Sequence, residues 1–244
     1  MKYIFGFLLL ILSTFANSQT IDFVVTASPG GPNDTVTRKI VDLLEKETSL
    51  RFVIINKPGA AHTIGYRHVL EADKPTLVMS TAEIRHHEVF SKVEELFNAG
   101  YFTNTLFVSR NSGISDIKQL IELSKKRDIN FGHGGVGSYS HMAMEHICVN
   151  QLQNKCLSVG YKSGANGMLG VMSGEIDAYA LASYGSSQFL NNEKLSAIYE
   201  IRVGKEKSWF KLFSRNLSQK DKDAIVSVLK SQNIKFYSDM GFEK

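Results

Sequence analysis

The stretch Thr26-Ala27-Ser28-Pro29-Gly30-Gly31-Pro32-Asn33-Asp34-Thr35 decides the fold of this chain. Ahead of it, Ile21-Asp22-Phe23-Val24-Val25 is a short β-branched and aromatic run that predicts a strand. Behind it, Val36, Ile40, Leu43 and Leu44 recur at helical spacing, with Asn33 or Asp34 placed to cap the helix start. Strand, Gly-rich turn and capped helix together make an anion site. The glycines let backbone approach a ligand, and the free N–H groups of the first helical turn face it.

A second stretch, Phe131-Gly132-His133-Gly134-Gly135-Val136-Gly137-Ser138-Tyr139-Ser140-His141, repeats this construction further along. Two such loops facing each other hold a small anion between them. Between and beyond the loops the pattern is that of an α/β protein. Phe52-Val53-Ile54-Ile55 predicts a strand that ends at the turn Asn56-Lys57-Pro58-Gly59-Ala60-Ala61, and Ile64, His68 and Val69 predict a helix to Ala72. Leu77-Val78-Met79 gives the next strand, so the first part reads β-α-β-α-β, a parallel sheet with right-handed crossovers. Thr105 to Ser109 is a strand leaving the first lobe, and Ser115 is placed to cap a helix carrying Ile117, Leu120, Ile121 and Leu123. After the second Gly-rich loop come a helix from Ser140 to Leu152, a strand Leu157 to Tyr161, a helix stopped by Gly174, and a strand Ile176 to Leu181. Leu195 to Val203 returns the chain, and Ser218-Gln219-Lys220-Asp221 resembles a capping box opening a last helix through Ile225, Val228 and Leu229. Two lobes joined by crossings near 102–107 and 200–210 fit this order better than one continuous sheet.

A chain of 244 residues accommodates two lobes of about 100 residues each. Its 43% hydrophobic and 21% charged content is that of a globular protein. The net charge of +4 is small and no long Lys/Arg block occurs, which disfavours nucleic acid as a partner. The N-terminus differs from the rest. Lys2 precedes an apolar core from Ile4 to Leu12, and Ala16 and Ser18 occupy the two positions that a signal peptidase reads. Residues 1–18 are therefore expected to be a signal peptide, with cleavage before Gln19; the apolar core is shorter than the ~20 residues of a stable membrane span. Cys148 and Cys156 are either one disulfide, closing a short loop between a helix and the next strand, or two separately buried thiols. Export favours the disulfide.

Other chemistries compete for these loops. Gly132-x-Gly134-x-x-Gly137 matches the dinucleotide fingerprint, but that motif needs an acid at the end of the following strand, which here ends Gly160-Tyr161-Lys162. Tyr161 and Lys162 suit an anion instead. A serine hydrolase needs a Gly-x-Ser-x-Gly elbow, and no serine in the loops has that setting. Ser138 and Ser140 are explained as helix caps whose hydroxyls also reach a ligand. For a metal, His86-His87 are adjacent and point apart, and His141 and His146 do not share a helix face. No metal or cofactor is expected. His133 and His141 flank the second loop. Asp34 is best placed as a helix cap, while Asp177 either orients loop backbone or meets a ligand hydroxyl or water.

With these residues in hand, the chain resembles the substrate-binding proteins of tripartite tricarboxylate transporters, the Bordetella uptake gene family. The resemblance runs from Ile21 to the C-terminus. It is carried by Pro29 to Asp34, Asn56 to Ala60 with Ile64-Gly65, Phe131 to His141, Tyr161-Lys162-Ser163-Gly164, Gly174-Glu175-Ile176-Asp177 and Ser208-Trp209-Phe210-Lys211-Leu212-Phe213. It implies a type 2-like periplasmic binding fold: two α/β lobes, each a mixed, mostly parallel sheet flanked by helices, hinged by two crossings and closing on a ligand in the cleft. The expected division is 19–104 plus 207–244 for one lobe and 105–206 for the other. It also implies that backbone N–H groups and waters from Ser28 to Asp34 and from His133 to Ser138 hold a ligand carboxylate. Three departures from the family pattern stand out: a short Arg202 to Ser208 return, Ala61-His62 where two glycines are common, and His133 where Ser or Thr is common.

The expectation is a monomeric periplasmic solute-binding protein that passes a small carboxylate to membrane subunits of a transporter. The expected ligand-binding residues are Ser28, Pro29, Gly30, Gly31, Asn33, Asp34, Thr81, His133, Gly134, Gly135, Val136, Gly137, Ser138, Tyr161, Asp177 and Ser183, with no catalytic residue. Among these, Thr81, Tyr161 and Ser183, together with Glu83, sit deeper and choose among ligands. The rivals are a secreted enzyme using His133 or His141 with an acid from the opposite lobe, and a sensor subunit that passes ligand occupancy to a membrane receptor.

Overall fold

The structure, a computed structural model, describes residues 20–60, 62–81, 88–202 and 209–243. The expected leader 1–18, Ala61, Glu83 and most of the short return segment lie outside the described residues, as does the side chain of Thr81. In chain order the strands are β1 (Thr20–Val25), β2 (Arg51–Asn56), β3 (Thr76–Thr81), β4 (Glu94–Tyr101) and β5 (Asn104–Ser109). They continue as β6 (Ile129–His133), β7 (Cys156–Gly160), β8 (Ala178–Ala182), β9 (Leu195–Ile201) and β10 (Trp209–Arg215). The helices are α1 (Pro32–Glu47), α2 (Thr63–Leu70), α3 (Ile117–Ser124), α4 (Tyr139–Asn150), α5 (Gly164–Ser173), α6 (Ser183–Leu190), α7 (Gln219–Ser231) and α8 (Ile234–Ser238).

Two five-stranded sheets form, ordered β2-β1-β3-β10-β4 and β7-β6-β8-β5-β9. In each, four strands run one way and the fourth in order runs against them: β10 is antiparallel to β3 and β4, and β5 is antiparallel to β8 and β9. Each reversed strand is the first after the chain passes from one sheet to the other, so the crossings themselves produce the mixed sheets. The first crossing is short, Phe102-Thr103 between β4 and β5.

Each parallel βα unit places its helix N-terminus at the carboxyl edge of its sheet, because the chain leaves the strand there and must turn back across the face. Pro32 suits the first turn of α1, where its missing N–H has no partner to lose. The α1 N-cap is Gly31 rather than Asn33 or Asp34, and Asp116 rather than Ser115 caps α3. Asp34 instead accepts from Gly30 N–H and the Arg38 guanidinium, whereas Asp116 takes the Gln119 N–H as the α3 cap. Gly174 closes α5 at φ +78°, its N–H bonded to Gly170 O and Val171 O.

The first sheet's core joins Phe23, Ile40, Leu44, Leu77, Leu212, Ile225 and Leu229. The second packs Leu106, Leu120, Phe131 and Ile147 on one face and Phe107, Met168, Val171 and Tyr179 on the other. Tyr139 of α4, Ala182 at the end of β8 and Tyr184 of α6 are buried in the first sheet's core. Tyr184 lies 4.8 Å from Phe102, 4.8 Å from Phe210 and 5.5 Å from Phe242, ring centre to ring centre. Close approach of α6 to α1 depends on Gly185, where a Cβ would fall 2.1 Å from Pro32 Cβ. Cys148 and Cys156 are disulfide-bonded, tying the end of α4 to the start of β7.

Candidate functional site

The two sheets face each other across a cleft of about 840 Å³. The N-cap residues of five helices line it: Gly31 of α1, His62 of α2, Ser138 of α4, Ser163 of α5 and Ala182 of α6. Among the described lining residues there is no Asp or Glu, and Lys162 is the one Lys or Arg. Helix N-termini carry partial positive charge and unpaired N–H groups, so their convergence makes an anion-attracting cavity.

The first loop is held by a buried carboxylate. Asp34 accepts from Gly30 N–H (2.9 Å), Arg38 Nε (2.8 Å) and Nη2 (3.1 Å), and Asn56 Nδ2 (2.9 Å). Burial alone would raise its pKa, but the bonds from Arg38, Gly30 and Asn56 outweigh it and hold the carboxyl below its ordinary value. Asn56 Nδ2 also donates to Ala27 O, which fastens the loop to β2. The first helical bond of α1 is Thr35 N–H to Gly31 O, so the N–H groups of Asn33 and Asp34 stand ahead of it. Asn33 Oδ1 accepts from Tyr184 Oη at 2.7 Å.

The second loop is held by hydroxyls. Ser138 caps α4 through His141 N–H, and Ser140 Oγ accepts from Gly134 N–H at 2.8 Å and lies 3.1 Å from Ser138 Oγ. Gly135 (φ +111°) and Gly137 (φ +82°) adopt conformations that favour glycine. Gly135 N–H donates to His133 Nδ1 at 3.0 Å, so His133 carries its proton on Nε2, which donates to Ser158 Oγ at 2.7 Å. Burial pushes the His133 pKa down, and the nearby His141 adds to that. His133 is thus a neutral strut beneath the loop.

Of the expected residues, Ser28, Gly31, Asn33, Gly134, Gly135, Val136 and Ser138 line the cleft. Pro29 and Gly30 are exposed outside the lining, and Asp34, His133 and Gly137 shape the loops without lining it. Three residues are displaced further. Tyr161 borders the cleft, but its ring runs under α5, where a Cβ on Gly170 would fall 2.4 Å from the phenol oxygen. Asp177 lies before β8, at the end remote from the cleft, paired with Arg127 (2.6 Å) and Asn130 N–H (2.8 Å). Ser183 donates to Gly241 O at 2.6 Å and accepts from Thr103 N–H at 3.2 Å, so its hydroxyl staples the crossing. Thr81 ends β3, and its side chain is outside the described residues.

Thr26, His62, Asn104 and Gly164 also line the cleft and are not among the residues expected from the sequence. His62 occupies φ +71° and places Nδ1 3.0 Å from Thr26 O and 2.9 Å from Thr26 Oγ1. A carbonyl only accepts, so Nδ1 carries the proton and Nε2 is a bare acceptor; burial lowers the His62 pKa. The signal was present in the departure at Ala61-His62. Asn104 offered none beyond a polar residue opening an apolar strand.

Residues 36–205 match the family profile described as tripartite tricarboxylate transporter family receptor. A UPF0065 protein from the ttuE–ttuC′ intergenic region of Agrobacterium vitis is 24% identical over 173 residues, covering 66% of this chain. The chain spans 50% of that relative's length. Among solved structures, Rpa4515 of R. palustris with adipate superposes with a TM-score of 0.81 at 17% identity, covering 93% of this chain and 88% of that one. MatC of Rhodopseudomonas palustris with bound malate gives 0.75 at 17% identity, covering 92% and 90%. These likenesses show a shared fold of two α/β lobes.

Proposed function

The chain belongs to the tripartite tricarboxylate transporter receptor family, and from that premise we propose that it is a periplasmic solute-binding protein. It captures a small carboxylate, a di- or tricarboxylate or related organic acid, and delivers it to the membrane subunits of a tripartite tricarboxylate-type transporter. One observation carries this reading: five helix N-caps and no acidic side chain border one cleft among the described residues. Each N-terminus contributes roughly half an elementary charge of positive potential, which favours an anion there over water. The adipate and malate named for the two structural neighbours support an acid of dicarboxylate size.

The role is capture without chemistry. Both ring nitrogens of His133 are engaged in holding the loop, which argues against it as a general base. Lobes 19–104 plus 207–244 and 105–206 close about the crossings and favour the liganded conformation. Residues 1–18 direct export and are removed before Gln19, and the mature protein acts as a monomer.

A thermal-shift screen of residues 19–244 against carboxylates and neutral solutes tests the proposal. A ligand at 100-fold excess over Kd stabilises the fold by about 2.7 kcal/mol. A selective upward shift with one carboxylate class supports uptake; a shift only with neutral or cationic solutes overturns it.

A further inference from the structure

The inner face of β5 reads Asn104, Leu106, Val108, and the two apolar residues belong to the buried core of the second sheet. Asn104 continues that face at the mouth of the first crossing, is fully buried, and lines the cleft. Neither its Oδ1 nor its Nδ2 has a hydrogen-bond partner among the described residues. The backbone does not require an amide here: Asn104 pairs in register with Ala182 and Ile201 as any strand residue would. A leucine would extend the core without interruption, whereas a buried amide with both ends unpaired opposes folding. Three other polar residues of the cleft are engaged within the protein, Thr26 with His62, Asn33 with Tyr184 and Ser138 with Ser140.

From this we propose that the Asn104 carboxamide reads a second polar group on the ligand, and that the preferred acids carry a hydroxyl or carboxamide beside the carboxylate held at the helix N-termini. A carboxamide offers N–H donors and an oxygen acceptor. An ionised carboxylate only accepts, so it satisfies Nδ2 and leaves Oδ1 unpaired. A ligand hydroxyl or carboxamide both donates and accepts, and completes the amide. The inference rests on the carboxylate-binding role proposed above and narrows its substrate class to hydroxy- or amide-bearing acids.

Calorimetric titration of residues 19–244 with matched acids tests it: malate against succinate, 2-hydroxyglutarate against glutarate, lactate against propionate. The wild type is expected to bind the hydroxy acid of its best pair about tenfold or more tightly than the partner lacking the hydroxyl. In Asn104→Leu the ratio is expected to fall to within about twofold, while resistance to urea equals or exceeds the wild type. Asn104→Ala, read by the same ratio, serves if the leucine variant does not fold. A wild type without preference for the hydroxyl, or variants that keep the preference, would overturn the role of Asn104. A wild type that binds none of these acids fails earlier, before any variant is made, and contradicts the carboxylate-binding role itself.

Discussion

Tyr184 donates its phenolic hydrogen to Asn33 Oδ1 at 2.7 Å, joining α6, which follows a strand of the second sheet, to the first turn of α1 beneath the first. The pair is buried and separated by 151 positions in the chain. It also fixes the side chain of a first-turn residue that lines the cleft, so one bond couples the packing of the lobes to the shape of the site. Removing the hydroxyl leaves Asn33 Oδ1 without this donor in a buried setting. Tyr184→Phe is therefore expected to lower stability by about 1–2 kcal/mol in urea titration and to weaken ligand binding with it. Loss of stability with unchanged affinity would uncouple the two.

Gly135 sits at φ +111°, and beyond its chain neighbours no atom of the described residues lies within 4 Å of a Cβ built there, so space is available but the conformation is wrong for a side chain. Gly135→Val is expected to distort the second loop, abolish ligand binding and leave the circular dichroism spectrum unchanged, at a cost to stability of about 1–3 kcal/mol. Unchanged affinity would remove the second loop from the site.

The Cys148–Cys156 bond closes a loop of sequence separation 8. On a chain-entropy account, so short a loop contributes about 2–3 kcal/mol. The double variant Cys148→Ser with Cys156→Ser should unfold at correspondingly lower urea, with carboxylate affinity retained because neither residue borders the cleft. An equal urea midpoint would mean that the bond constrains nothing the fold does not already hold.

Stability should fall on acidification in two ranges. His62 and His133 have folded pKa values below the ordinary 6.5, chiefly through burial. The unfolded chain then takes up protons that the folded one resists, so stability present above 6.5 is lost as pH falls toward the folded values. The Asp34 pKa is lowered in the fold, so its contribution is present above the unfolded value of about 3.9 and lost as pH falls below it. Melting temperatures from pH 8 to pH 3 check this: His133→Gln should flatten the upper limb and Asp34→Asn the lower.

Much of the architecture was legible because alternating strands and helices show in apolar periodicity. The runs at Phe23, Phe131 and Ile176 predicted β1, β6 and β8, and the turns after β1 and β6 led to two of the five N-caps. β4 escaped because Glu94-Glu95-Leu96-Phe97-Asn98-Ala99-Gly100-Tyr101 is an edge strand with β10 as its neighbouring strand, and it shows no two-residue alternation. The helix α6 escaped because Ser183-Tyr184-Gly185-Ser186-Ser187 has the composition of a loop; tertiary packing against Pro32 and Phe242 decides it. Within the site, loop backbone was legible and side-chain direction was not. Apolar periodicity does not show that Tyr161 turns under the helix that follows it, and Ser183 spends its hydroxyl on Gly241, a residue distant in sequence.

The most direct test of the anion-binding cleft is calorimetric titration of residues 19–244 with a dicarboxylic acid and, separately, with its neutral dimethyl ester. The two share a carbon skeleton and differ in the charge that the helix N-termini are argued to hold. Taking the acid that gives the largest thermal shift, the expected result is saturable one-to-one binding of the acid and no measurable heat from the ester. Equal binding of acid and ester would contradict the account, because recognition would then rest on the skeleton and not on the carboxylate.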